Sequence, residues 1–173
     1  MLSRKKNIAA TLCMLIITIV LCGCYGTYDG YKLIEEPSDV KEAVREMSNR
    51  ENIEICDMAE TEQWKLYACT ADGEFGYYVS AIIDERGGLR KYGAGYQGGQ
   101  AAEAIVLSAE KEKVTLGIIS DGTAKQLRLH NDNTGEEITF ELDKQDISAY
   151  IFECDWKEFS CAFIDANGNV IEN

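Results

Sequence analysis

The sequence predicts an α+β fold: one N-terminal amphipathic helix packed on an antiparallel sheet, followed by an antiparallel β-sandwich or meander. Three observations predict it. Val40, Ala43, Val44 and Met47 fall at i, i+3, i+4 and i+7, a single helical stripe. From residue 53 onward the apolar period drops to two. The one proline, Pro37, precedes the stripe, so no later strand loses a ladder donor to proline.

The N-terminus comes first. Residues 1–7, MLSRKKN, carry Arg4, Lys5 and Lys6 and no acid. Residues 8–21, IAATLCMLIITIVL, carry no charge. That run is short of the roughly 20 residues a spanning helix needs and matches the apolar core of a signal peptide. Basic residues before it favour a cytoplasmic location for that end. The run closes on Leu21-Cys22-Gly23-Cys24.

These four residues resemble the lipobox of bacterial lipoproteins: an aliphatic residue, a tolerant position, a small residue, then cysteine. In that family the last cysteine receives a diacylglyceryl group and a peptidase cuts before it. The resemblance implies that residues 1–23 are removed and that Cys24 becomes the lipidated mature N-terminus. Gly23 would be the small residue before the cut. Cys22 takes the tolerant position, where small or aliphatic residues are commoner. Each buried methylene is worth about 0.8 kcal/mol, and two palmitate-type chains anchor stably where one does not. The competing readings are an uncleaved anchor helix and a metal site, but a bare C-x-C in an apolar run lacks partner ligands at zinc-site spacing.

Charge sets the next bound. The 173-residue chain has a net charge of −13. Residues 1–23 hold three of its 17 basic residues and none of its 30 acids, which leaves 14 against 30, or −16, from Cys24 onward. Such a body offers no basic nucleic-acid surface and is repelled by anionic headgroups, so a lipid must hold it at a membrane. Acidity of this kind confers solubility. About 150 residues remain, enough for one core.

Residues 24–36 form a short tether; ten extended residues reach at most about 35 Å. Tyr25, Tyr28 and Tyr31 are either headgroup contacts or chance spacing of a common residue. Residues 37–50, PSDVKEAVREMSNR, form the helix, with Ser38 or Asp39 as N-cap and an Asp39/Glu42 capping box. Residues 53–59 and 64–70 read as a hairpin about a TEQ turn. Residues 76–84 make a third strand ending at ERGG, and residues 89–93 begin a fourth.

The second half has strands at 114–120, 125–130, 136–142, 147–154 and 159–165, separated by SDGT, NDNTG, DKQD and DWKE. Leu127, Leu129, Ile138, Phe140 and Leu142 share one face. Asn167-Gly168 is a hairpin signal, with Val170 and Ile171 starting the return. Residues 37–173 therefore read as a single α+β domain, with candidate sub-lobes 37–110 and 111–173.

Several patterns carry chemistry. Gly93-Ala94-Gly95-Tyr96-Gln97-Gly98 matches G-x-G-x-x-G, residues 100–112 could continue it as a helix, and Asp121 ends the strand after that. LRKY before the glycines is too polar for a buried parallel strand, and the chain lacks alternating helices. The segment reads instead as a Gly-rich loop between strands. Its residues Tyr92, Tyr96 and Gln97 are the candidate ligand contacts.

Four cysteines stay beyond Cys24. A two-residue turn at Glu62-Gln63 sets Cys56 opposite Cys69, and one at Lys157-Glu158 sets Cys154 opposite Cys161. Either these are cross-strand disulfides, or they are thiols acting as small hydrophobes. His130, the one histidine, reads as an exposed cross-strand partner of Glu137, and no G-x-S-x-G signature accompanies it. The carboxylates are too many to single out a hydrolase pair. DANGN and NDNTG lack the full calcium-loop pattern and read as turns.

The expected protein is thus a lipid-anchored extracytoplasmic lipoprotein of the cell membrane, without catalytic residues, metal or cofactor. Its body would be an interaction or accessory module for a protein partner or a cell-wall component, with no role for nucleic acid. In layout it resembles the small uncharacterised lipoproteins of Gram-positive bacteria. A small-ligand or cell-wall-glycan binder using the 93–100 loop is the alternative, and a small hydrolase the third.

Overall fold

The computed structural model describes residues 28–30, 34, 36–83, 89–98, 100–109, 113–156 and 158–171. The signal segment, Gly23, Cys24, most of the tether and the ERGG turn lie outside the described residues. The first strand is β1 (Tyr28–Gly30), followed by the helix α1 (Pro37–Ser48). Then come β2 (Ile53–Glu60), β3 (Trp64–Ala71), β4 (Glu74–Ile83), β5 (Leu89–Tyr96) and β6 (Ala102–Ala109). The chain closes with β7 (Val114–Ser120), β8 (Ala124–Asn131), β9 (Glu137–Glu141), β10 (Ser148–Cys154) and β11 (Phe159–Asp165). Every ladder is antiparallel. Among the described residues the chain is α+β: mostly antiparallel sheet with one short helix.

Helix α1 is capped by Glu36, two residues before Ser38 and three before Asp39, the expected caps. Pro37 occupies its first position, where a missing N–H costs nothing. The capping box therefore closes between Glu36 and Asp39, with Glu36 N donating to Asp39 Oδ2 at 2.9 Å. Asn49 ends the helix in the left-handed region at φ 55° and donates to Arg45 O at 2.9 Å. The stripe of Val40, Ala43 and Val44 is buried against Cys69, Val79, Ala81 and Ala94 of the first sheet. Each fully buried valine is worth about 1.5–3 kcal/mol.

That first sheet has the order β1-β5-β4-β3-β2. Two irregularities redirect its side chains. In β2, Ile55 pairs with Cys69 but Asp57 pairs with Ala68, so Cys56 is a bulge. In β4, Tyr77 pairs with Cys69 and Phe75 with Thr70, so Gly76, at φ 116°, is the extra residue. A one-residue slip exchanges the faces. Ile53 and Ile55 consequently pack under α1, whereas Ala59 and Phe75 join the opposite side.

The opposite side meets a second sheet, β10-β7-β6. Leu66, Ala68 and Tyr78 pack there against Ile119 and Ala149, with Ile105 and Ile151 beside them. Gly117 lets the layers approach: a Cβ there would lie 3.0 Å from Leu66 Cδ2. The second sheet's other face carries Leu116, Ile118 and Cys154, which pack against Leu127, Leu129 and Phe163 of the third sheet, β11-β8-β9. Phe140 and Phe152 stack across this layer at 4.4 Å.

The second sheet is thus apolar on both faces. The chain reaches it in two visits, β6–β7 and then β10, with β8 and β9 of the third sheet between them and β11 after. A boundary at 110/111 would part β6 from β7, which are paired neighbours. Of the segment 100–112, residues Ala102–Ala109 form strand β6 and not a helix. The hairpin expected from residues 147–154 and 159–165 does not form, because β10 pairs with β7 and β11 with β8. The return after Asn167-Gly168 is present as a bridge between Ile164 and Val170. Among the described residues no helix is long and apolar enough to cross a membrane.

Candidate functional site

Strand alternation places a cleft at one end of the layer between the first two sheets. Along β3 the inward row is Trp64, Leu66, Ala68; along β7 it is Thr115, Gly117, Ile119; along β10 it is Ala149, Ile151, Glu153. The inner members of each row fill the apolar layer. The last members, Trp64, Thr115 and Glu153, are too polar or too large to close it, and a cleft of about 290 Å³ remains. One wall is the β2–β3 turn, Thr61 to Trp64; the other is Lys113, Thr115 and Glu153.

Both walls are held by the backbone. Thr61 Oγ1 accepts from Gln63 N at 3.3 Å and Trp64 N at 3.1 Å. Thr61 N donates to Trp64 O, and Ile83 N to Gln63 O, each at 2.8 Å. The half-buried Trp64 is therefore carried on a clamped turn. Opposite it, Thr115 and Glu153 are direct cross-strand neighbours, and Glu153 Oε2 accepts from Lys113 Nζ at 2.9 Å. The cleft thus offers an indole, hydroxyls, a side-chain amide, the Glu62 carboxylate and one neutralised charge pair.

The sequence-predicted loop lies elsewhere. Gly93 to Tyr96 belong to strand β5, so the glycines are not a loop; only residues 97–101 connect β5 to β6. Their reason is packing: a Cβ on Gly95 would stand 2.3 Å from Tyr78 Cζ, so the tyrosine ring needs a bare strand beneath it. Tyr92 pairs through its backbone with Ala81 and Gly30, and its side chain lies outside the described residues. Tyr96 stacks on Tyr77 at 4.5 Å and donates to Glu74, a bond that pushes its hydroxyl up to about 12. Arg50 bridges Glu74 at 3.2 Å and Asp72 at 3.6 Å beside them. Gln97 is buried, its Nε2 donating to Gln100 O at 2.7 Å. Its Oε1 has no partner among the described residues. Of the three, Tyr96 is thus engaged with Tyr77 and Glu74 and Gln97 with Gln100.

Asp57, which the bulge at Cys56 turns toward the second sheet, fastens the two sheets. Its carboxylate accepts from Ala149 N at 2.9 Å and from Lys144 Nζ. Burial raises its pKa, but the bonds from Lys144, Ala149 and Met58 outweigh this, so the group sits below the ordinary carboxylate range. Glu103, on β6 opposite Ile119, has the reverse fate: burial lifts it to about 7.

The four cysteines are thiols. Cys69 faces Ile55 across the ladder, because the bulge moves Cys56 out of register, and Cys56 is exposed. Burial lifts the Cys69 thiol to about 12. Cys154 is buried in the second sheet, while Cys161 is exposed on the third. His130 pairs with Glu137, Nδ1 to Oε1 at 3.6 Å, at an exposed position. Among the described residues no three His, Cys, Asp or Glu side chains converge as a metal-ligand group.

The cleft was legible only in part. Thr115 and Glu153 interrupt otherwise apolar inward rows, which is a signal, but reading it requires knowing that β7 and β10 are neighbours. Comparison of the chain with protein-family models, with curated proteins and with solved structures found no match.

Proposed function

We propose that the protein is a lipid-anchored lipoprotein on the extracytoplasmic face of the cell membrane, whose body is a non-catalytic interaction or accessory module. The observation that carries this reading is Leu21-Cys22-Gly23-Cys24 after a basic start and an uncharged run. Lipid on Cys24 would hold a body of charge −16 at a surface that would otherwise repel it. The three-sheet body is, in this reading, an antiparallel β-sandwich extended by a helix-covered sheet. Such a body would display its loops and end clefts to partners.

A Cys24→Ala substitution tests the anchor. Incorporation of labelled palmitate and recovery in the membrane fraction should both be lost; labelling that persists unchanged would sink the proposal. A second reading, small-ligand binding, draws support from the Trp64 cleft. It replaces the 93–100 segment as the place where such a ligand would sit.

A further inference from the structure

We infer that the Trp64 cleft is a binding site for a neutral saccharide. The inference rests on the ligand-binding reading and names its ligand class. Three features of the cleft converge on that class. First, its apolar element is a single half-buried indole on a clamped turn. The C–H face of a sugar ring stacks on such a surface at little ordering cost, because the side chain is already placed. Second, the groups around the indole are those that exchange hydrogen bonds with hydroxyls: Thr61, Gln63, Thr115 and the Glu153 carboxylate. Third, the cleft offers no ready anchor for an anion and one carboxylate, Glu62, outside its ion pair. Lys113 is engaged by Glu153 at 2.9 Å. An anionic ligand meets Glu62 and the acidity of the whole body; a cationic one finds Glu153 already held by Lys113 and only Glu62 on the turn, and is the rival the peptide probe separates. The volume of 290 Å³ is at the low end of ligand sites, room for about one sugar ring with its neighbours projecting outward.

The fold explains why the site is there. Gly117 draws the two sheets together at Leu66, and the next residues outward on each row are Trp64 and Thr115. The close approach of Gly117 to Leu66 therefore lies one step inward of the residues that line the cleft.

The test uses full-length protein in zwitterionic detergent. A Trp156→Phe change leaves Trp64 as the only indole of the two in the chain. Neutral chito-, cello- and malto-oligosaccharides are titrated while fluorescence and heat are followed, with a lysine-containing tetrapeptide as the contrasting probe. A saturable change with at least one oligosaccharide is expected. It should weaken about five- to ten-fold in Gln63→Ala, which removes an exposed side chain and leaves the fold intact, as one lost hydrogen bond predicts. It should weaken more in Thr115→Tyr, which fills the cleft; cooperative melting verifies that this variant is folded. No saturable response to any oligosaccharide overturns the inference, as does binding that both variants leave unchanged. A response to the tetrapeptide alone replaces the saccharide with a cationic peptide and likewise overturns it. Palmitate labelling at Cys24 is independent of all these readouts, so failure here leaves the anchoring proposal standing.

Discussion

Gly122 is the position at which one added methyl group should be most costly. It lies in the β7–β8 connection, where the chain leaves the second sheet for the third. At φ 93° its backbone already excludes most side chains. A Cβ there would stand 2.0 Å from Gln145 O and 2.5 Å from Gln145 C. Both are backbone atoms of the β9–β10 connection, where the chain returns. Restoring an ordinary 3.4 Å contact from 2.0 Å needs a shift of 1.4 Å. The turn resists that shift, because Ser120 Oγ accepts from Gly122 N at 3.1 Å and Asp121 N donates to Ala101 O at 2.9 Å.

The conformational cost is about 1–2 kcal/mol and the overpacking cost about 1–3 kcal/mol, so Gly122→Ala should lose about 2–5 kcal/mol. Gly168→Ala is the control. Its φ is 84°, yet nothing lies within 4 Å of the new Cβ, so it bears the conformational cost alone. Thermal unfolding followed by far-UV circular dichroism should show Gly122→Ala melting about 10 °C lower, and Gly168→Ala only about 2–8 °C lower. Equal losses in the two variants would refute the contact between the two crossings.

Other perturbations have worked signs. Asp57→Ala should cost about 2 kcal/mol near neutral pH by denaturant unfolding, as hydrogen bonds to a charged but part-exposed group predict. The folded pKa of Asp57 is lowered, so its contribution is present above about pH 4 and disappears as pH falls through the folded value. A difference that persists at pH 2 would contradict this. Glu103 runs the other way: its folded pKa is about 7, so wild-type stability is lost as pH rises from about 4.3 through 7. Glu103→Gln should therefore be about 1–2 kcal/mol more stable than wild type at pH 8, after discounting for partial exposure, and equal to it near pH 4. A variant less stable at pH 8 would refute the assignment. Native alkylation should modify Cys56 and Cys161 quickly and Cys69 and Cys154 only on unfolding; intact mass that shows no label on the unfolded chain would mean disulfides.

Local patterns in the sequence carried most of the element boundaries. The stripe from Val40 to Met47 predicts α1 because helix packing needs only its own spacing. Leu127 and Leu129 face Phe140 and Ile138 as expected, since a hairpin's register follows from its turn. The bulges at Cys56 and Gly76 were not legible, because each is defined by the partner strand. They undo the expected Cys56–Cys69 opposition. The expected β10–β11 hairpin failed for another reason. A strand with both faces apolar needs a layer on each side, and a strand next in sequence can as well stack across a layer as pair beside it. VTLGIIS is such a run: Leu116 and Ile118 face one layer, Gly117 and Ile119 the other. The Gly-rich stretch misled because glycine makes room both for mobile turns and for a ring lying on a strand. Only Tyr78, the direct partner of Gly95 on the neighbouring strand, distinguishes them.

The two visits to the middle sheet also set a timetable for the chain. β7, its central strand, has one neighbour as soon as β6–β7 is made, but the other neighbour is β10, which ends at Cys154. A chain delivered from its N-terminus therefore cannot finish its centre until almost its whole length has emerged. Until then β7 presents an unpaired edge and two apolar faces. Premature stops between residues 120 and 148 should consequently yield a sticky intermediate, and the last strands act as the closing step for everything before them.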